Sequence, residues 1–445
     1  MSEAAPLELL AELLAKARAA GADAADAVLV GGTSLSLSRR MGRIEHLERS
    51  ETRDIGLRVF VGQRAAIASS GRVAPGEFAT LAERAVAMAR VVPEDPHIGL
   101  GEPAPAPDAR PLDLVDPAEP TVEALMERAR IAEEAALAVP GVTNSEGAEA
   151  SWGLSEVALA TSAGFAGTYA RTGHSLSATA LAGTGTEMQR DYDFTSAVHL
   201  ADLEDPAAIG ASAGRRAVAR LKPRRPATAR LPVVYEARVA GSLLGHLAAA
   251  INGASVARGT SFLKERLESA VFGAGITIRD DPTRPRGLRS RPFDAEGMPT
   301  SARALVAEGV LKSWILDLAS ARQLGLASTG HAVRGTSGPP APAPSNLYLA
   351  PGALSREALM ADIGEGLLVS ELIGMGVNTI TGDYSRGAAG FMIRGGALAE
   401  PVAEITIAGN LAQMFASLVP ANDLCFRRGV DSPSVRVEGM TTAGG

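Results

Sequence analysis

The chain has 445 residues, 46% hydrophobic and 21% charged, with 43 Lys+Arg against 50 Asp+Glu and a formal net charge of -7. That length gives room for two or three domains with an ample apolar core, and the balance excludes a disordered chain. One cysteine (Cys425) and six histidines exclude an intramolecular disulfide framework and a four-cysteine zinc site, and leave few places for other chemistry. Residues 6–20 read as a helix: Leu10, Leu13, Leu14 and Ala17 follow the i, i+3, i+4, i+7 spacing, and Gly21 suits the stop. Glu3, Glu8, Glu12 and Lys16 interrupt any apolar run there, so no secretory signal is read and the expected compartment is the cytoplasm. Short strands follow near 27–30, 34–39, 44–50, 55–61 and 65–70. Turns at Met41-Gly42-Arg43 and Val61-Gly62-Gln63 make this a β-meander.

A helix near 75–90 closes this first unit, residues 1–92. Residues 93–120 carry eight prolines in 28 positions and read as an extended linker. The plan then recurs over 121–226: a helix at 122–139, a strand-rich stretch at 142–196 and a helix at 206–221. From 227 to 445 the chain is Gly-rich and mixed. It has a strand at 231–236, a buried helix at 239–251, hairpins around Glu308-Gly309 and Gly395-Gly396, strands at 403–408 and 434–438, and a proline-rich surface loop at 335–349. Polar residues (Ser242, His246, Asn252, Ser255) break the longest chargeless run, 239–257, so no membrane span is expected. Helix–meander–helix units followed by a domain of antiparallel strands make the fold α+β.

Only four basic residues are lysine, so 39 of the 43 are arginine. An acidic total without aromatic residues among the arginines argues against nucleic-acid binding. No lysine sits in a phosphate-binding loop, and Gly183-Thr184-Gly185 lacks the second half of a dinucleotide fingerprint. The one G-x-S-x-G, Gly210 to Gly214, puts Ser212 inside a predicted helix and not on a strand-to-helix elbow. No two histidines lie within five residues, as a zinc-hydrolase helix requires. His246 falls mid-helix, and His331 in the loop before the prolines. Gly382 to Gly390, with Asp383 and Arg386, reads as a glycine-rich polar turn in which the two charges pair or orient a ligand. Met188 to Asp193 reads as a turn stabilised by its own charges.

Thr381 to Phe391 and Glu404 to Leu411 resemble the C-terminal signature of the TldD/TldE (PmbA) metalloprotease family, on its TldE/PmbA side. So do Pro292 to Gly297 and Ser320 to His331. The resemblance is dense from about residue 231 onward and looser before it. It implies a subunit of a heteromeric cytoplasmic metalloprotease that acts on peptides or unfolded proteins. In that family the TldD branch carries a helical H-E-x-x-x-H zinc motif. Aligned on Leu243-Leu244, the two histidine positions hold Gly245 and Ala250, and His246 stands at the glutamate. Cys425 lies too early for the C-terminal cysteine ligand of that branch. The resemblance therefore implies no metal in this chain, with zinc supplied by a TldD-like partner in a homo- or hetero-oligomer. His246, His331, Asp383 and Arg386 are the expected substrate-lining residues, and an extended peptide is expected to add as a strand to an exposed sheet edge. Two alternatives remain: a self-sufficient metallopeptidase drawing on Glu236, His246, His331 and Cys425, or a non-enzymatic regulator of a topoisomerase or toxin system.

Overall fold

The computed structural model describes residues 5–102 and 111–444, so Pro103, Pro105 and Pro107 of the expected linker lie outside the described residues. Helix α1 (Pro6–Ala19) opens on a proline, buries Leu9, Leu10, Leu13 and Ala17, and ends with Lys16 and Arg18 in its last turn, where cations favour the dipole. Strands β1 (Ala24–Arg40), β2 (Arg43–Val61) and β3 (Arg64–Ser70) form the meander, and α2 (Phe78–Ala89) closes it. The second unit repeats this as α3 (Val122–Leu137), β4 (Val142–Thr161), β5 (Ala166–Ala182), β6 (Gln189–Ala197) and α4 (Pro206–Ala219). Thr121 and Asp205 cap the two helices through their side chains.

Of the five short strands expected in the first unit, the last is β3 and the other four merge into two long strands, β1 and β2. Gly31 and Gly32, read as a break, are held extended from both sides, by Arg53 and Thr52 of β2 and by Glu156 and Ser155 of β4. Met41 and Gly42 both have positive φ (47° and 79°), the conformation a two-residue hairpin turn demands.

The six strands form one antiparallel sheet in the order β3-β2-β1-β4-β5-β6. Alternate residues of β1 face the helices: Ala25, Ala27 and Leu29 lie under α1 and α2, and Leu35 and Leu37 under α3 and α4. Helices α3 and α4 approach so closely that a Cβ at Gly210 would stand 1.9 Å from the Ala132 carbonyl oxygen. The G-x-S-x-G run is thus a packing stripe, with Ser212 inside α4.

The rest of the chain begins with β7 (Ala229–Tyr235), α5 (Ala237–Ala250) and α6 (Gly253–Ala257). Then come β8 (Ile278–Asp280), β9 (Arg303–Ala307), β10 (Val310–Leu311), α7 (Leu318–Gln323), β11 (Ala332–Val333), β12 (Ala341–Pro342) and β13 (Leu347–Leu349). It ends with α8 (Arg356–Met360), β14 (Glu365–Ile373), β15 (Asp383–Arg394), β16 (Ala397–Asn410), α9 (Leu411–Ser417), β17 (Val419–Pro420), β18 (Val430–Asp431) and β19 (Val435–Ala443). One sheet runs β16-β15-β14-β7-β19-β17, and β16 also pairs with β19, so five of its strands close into a ring around a large apolar core. A second sheet runs β10-β9-β8-β13-β18. Sheets that are antiparallel except at the β7–β14 and β13–β18 pairs, with helices laid against them, make the fold α+β. No helix among the described residues is long and apolar enough to cross a membrane.

The proline-rich stretch 335–349 is a surface loop only in part. Ser345 and Asn346 are buried and bonded to Asp280 and Ser290, and β13 lies between β8 and β18. Prolines suit that extended backbone as well as they suit a loop.

The sheet face away from α1–α4 packs on the C-terminal part, with Val28 and Leu159 against Phe293. Asp26, 1% exposed, accepts hydrogen bonds from Arg58 (Nε–Oδ2 2.8 Å) and from Arg334. Arg58 Nη1 also stands 3.6 Å from Glu296, so a buried ionic cluster joins the two halves.

Candidate functional site

A cavity of about 750 Å³ opens where the edge strand β6, helix α4, the first half of α5, the end of β14 and the segment 423–432 meet. Nine of its lining residues are arginine, against six Asp or Glu, a local excess of positive charge in a chain that is acidic overall. Arg216 and Arg220 sit one turn apart on α4 and so reach the same side. Strand β7 runs into α5 through Glu236, whose carboxylate does not cap the helix. It accepts instead from Arg216 (Oε1–Nη1 2.8 Å), while its Oε2 stands 3.2 Å from Arg238 Nε without hydrogen-bond alignment.

Asp191 of β6 is the buried anchor of this wall. It accepts a bidentate pair from Arg238 at 2.7 and 2.9 Å, with Arg220 at 3.4 Å. Burial pushes its carboxyl up, but the Arg238 bonds and charge, the Tyr192 amide and Arg220 outweigh this and hold it below the usual carboxylate range. Asp193 receives Arg427 at 3.2 Å. These contacts correct the reading of Met188 to Asp193 as a self-stabilised turn: Asp191 and Asp193 are strand residues paired to distant arginines. They also occupy the edge. The Tyr192 and Phe194 amides donate to the carboxylates of Asp191 and Asp193, and their carbonyls accept from Arg238 and Arg427. A peptide strand adding along this edge would first have to displace all four bonds.

Of the four expected lining residues, Arg386 alone lines the cavity. It lies on β15 beside the buried Tyr384 and, among the described residues, donates to the Ile373 carbonyl oxygen alone, at 3.3 Å. Asp383 is exposed at the start of the same strand, accepting from Thr381 (2.7 Å) and Asn410 (3.3 Å). Three positions apart on a strand, Asp383 and Arg386 face opposite sides, so the expected turn with an internal ion pair is absent and the segment is strand. His246 lies behind the wall, its ring edge-on to Tyr384 at 5.8 Å and its Nε2 buried without a hydrogen-bond partner among the described residues. Burial, then the nearby Arg386 guanidinium, push its imidazole down to about 4, so it is neutral at physiological pH.

His331 is elsewhere. It is buried between Asp280 (Nε2–Oδ2 3.1 Å) and Thr329 (Nδ1–Oγ1 2.9 Å), and ties β8 to the segment before β11. Arg190 of β6, Arg216 and Arg220 at the end of α4, and Arg427 and Arg428 supply five of the cavity's nine arginines, and reading the sequence did not select them. Their only signal was the clustering of Arg215, Arg216 and Arg220, which equally fits a helix C-terminus.

On α5, Gly245 lines the cavity and a Cβ there would meet nothing within 4 Å, whereas Ala250 is fully buried in the core. Neither offers a donor. Among the described residues no group of three or more His, Cys, Asp or Glu side chains is placed to hold a metal ion. Glu236 and Cys425 reach the cavity, but His246 and His331 do not join them there. The donor set does not fit zinc.

Three family models match the chain: the PmbA/TldA metallopeptidase domain 1 over residues 25–89, the central domain over 115–221 and the C-terminal domain over 228–444. Metalloprotease PmbA of Escherichia coli is 38% identical over 95% of this chain and 92% of its own length. The PmbA homologue of Haemophilus influenzae is 34% identical over 97% and 94%. Among solved structures, a Bacteroides thetaiotaomicron protein described as a candidate modulator of DNA gyrase superposes with a TM-score of 0.88 at 26% identity, over 98% of both chains. TldE of Thermococcus kodakarensis shares the fold at TM-score 0.88 and 20% identity, covering 98% of this chain and all of that one. With all three domain models matched in order and PmbA relatives aligned over nearly its whole length, the chain belongs to the PmbA/TldD metallopeptidase family, on its PmbA (TldE) side.

Proposed function

We propose that this chain is the TldE-like half of a two-chain cytoplasmic metalloprotease acting on peptides or unfolded proteins. A TldD-like partner supplies the zinc and the cleavage. This chain builds the oligomer and forms one wall of the passage by which substrate reaches the partner. The observation that carries the reading is α5, where Gly245 opens on the large cavity and Ala250 lies in the core, at the two positions a zinc helix would fill with histidine. The cavity's wealth of arginine favours acidic stretches of a substrate, since Arg289, Arg386 and Arg428 have no carboxylate partner among the described residues.

The test is a peptidase assay on an acidic unstructured peptide with this chain alone, with a TldD-like chain alone, and with both, alongside metal analysis of each. Cleavage is expected to rise about tenfold or more on mixing, with zinc carried by the partner. Stoichiometric zinc on this chain, or cleavage by it alone, would support the self-sufficient peptidase instead. No gain on mixing would remove the partnership and favour a regulator. Cys425, exposed at the cavity, offers an independent readout: its reaction with a thiol reagent is expected to slow when peptide occupies the passage.

A further inference from the structure

A second cavity, of about 360 Å³, lies between the outer face of the six-stranded sheet of β1–β6 and the C-terminal part of the chain. One side of it is hydrocarbon, from Val28, Leu159 and the rings of Tyr169 and Phe293, which meet edge to face at 5.3 Å. The other side carries four guanidinium groups, Arg171, Arg289, Arg291 and Arg334, against one carboxylate, Asp294. That carboxylate is already committed, accepting the amides of Glu296, Met298 and Ala332.

The arginines are not satisfied. The Arg334 side chain is 3% exposed and gives Nη1 to Asp26, yet its Nε and Nη2 are buried without a partner among the described residues. Arg291 Nε and Nη2 are likewise buried and unbonded. Arg171 donates to the Leu288 carbonyl oxygen, at 2.7 Å, and burial pushes its guanidinium down. Buried guanidinium N–H groups left unpaired are costly, and a carboxylate is the planar partner that two of them fit. A bare anion such as phosphate would leave the apolar wall without a role.

We propose that this chamber binds a carboxylate borne on an apolar body, the carboxylate held by Arg291 and Arg334 and the body packed on Val28, Leu159 and Phe293. Two sources share that chemistry: a peptide C-terminus with a large apolar last residue, and a free aryl or alkyl carboxylic acid. Calorimetric titration of the full chain with 3-phenylpropionate is expected to give saturable one-site binding. Acetate, which lacks the body, and 3-phenylpropanol, which lacks the charge, are expected to bind at least about tenfold more weakly. Arg291→Met should keep the melting temperature, since Arg291 Nε and Nη2 bond nothing among the described residues, and should weaken 3-phenylpropionate about tenfold or more. Arg291→Lys, which keeps the charge but loses the planar pair of N–H groups, is the second variant should the first not fold. No binding, equal binding of the alcohol, or unchanged binding by the variant overturns the proposal. A tripeptide ending in phenylalanine then separates the sources. Binding of its free acid points to chain ends and its failure to bind points to small acids, either result upholding the carboxylate; equal binding of its C-terminal amide overturns the proposal.

Discussion

His246 illustrates how one residue's surroundings fix its chemistry. Its imidazole is walled by Tyr384 and faces the Arg386 guanidinium, and burial followed by that charge pushes it down from the ordinary 6.5 to about 4. A histidine whose folded value lies below its unfolded value binds its proton more readily when the chain unfolds. The stability tied to the neutral ring is therefore complete above pH 6.5 and is lost as pH falls toward 4, a window on the order of 2 to 3 kcal/mol. His246→Gln does not titrate there, so urea melts at pH 7 and pH 4.5 should show it losing less than the parent by about that amount. Equal losses would refute the assignment. A single sequence shows a histidine on a helix but not what stands over it, because Tyr384 and Arg386 arrive from a strand more than 130 positions later. The reading of Asp383 and Arg386 as one polar turn failed for the opposite reason. They are close in sequence, and strand alternation sends them to opposite sides.

At the scale of whole elements, the same substitution is expected to act with opposite sign on two helices. Gly210 on α4 faces the α3 backbone, where a Cβ would lie 1.9 Å from the Ala132 carbonyl oxygen. Gly210→Ala must push the helices apart, at a net cost of about 2 kcal/mol even after the roughly 1 kcal/mol that alanine returns in helix propensity. Gly245 on α5 faces open cavity, so Gly245→Ala should raise stability by up to about 1 kcal/mol. Chemical denaturation of both variants checks the pair, and a shared sign would contradict the packing described. Helix ends were legible because caps and apolar spacing are local signals: α1, α3, α4 and α5 each begin within two residues of the sequence reading. Strand lengths were not. Whether Gly31-Gly32 breaks a strand or continues it is decided by neighbours on either side, which local composition does not contain.

Across the whole molecule, the sheet of β1–β6 and the C-terminal part are held by the Asp26 cluster as well as by apolar contact. Burial pushes Glu296 up to about 7, with the Arg58 charge opposing, so at neutral pH it is only partly ionised and Asp26 carries most of the compensation for Arg58 and Arg334. Asp26→Ala leaves two buried guanidinium groups without their main counter-charge and is expected to cost about 3 to 5 kcal/mol, read as a lowered denaturation midpoint. The large cavity lies across the same divide, built from residues between 190 and 432, and for that reason no local motif announced it. The absence of a donor pair at Gly245 and Ala250 was legible, because it needs only a family pattern and two positions. The arginine wall needed the fold.

The pairing of β1 with β4 carries one more consequence. The two strands are joined residue for residue from Asp26–Thr161 to Arg39–Ala148, fourteen pairs through the middle of a six-stranded sheet. A fragment ending near residue 92 would therefore present the full length of β1 as a bare edge, with Val28 beside it stripped of its cover. Such an edge recruits whatever strand is at hand, and the nearest complement in solution is β1 of another copy. Cut there, the chain would trade a partner within itself for a partner outside, and a piece that keeps this sheet and its helices together has to run through α4, whose Ile209, Ala213 and Ala217 complete the core over β4 and β5.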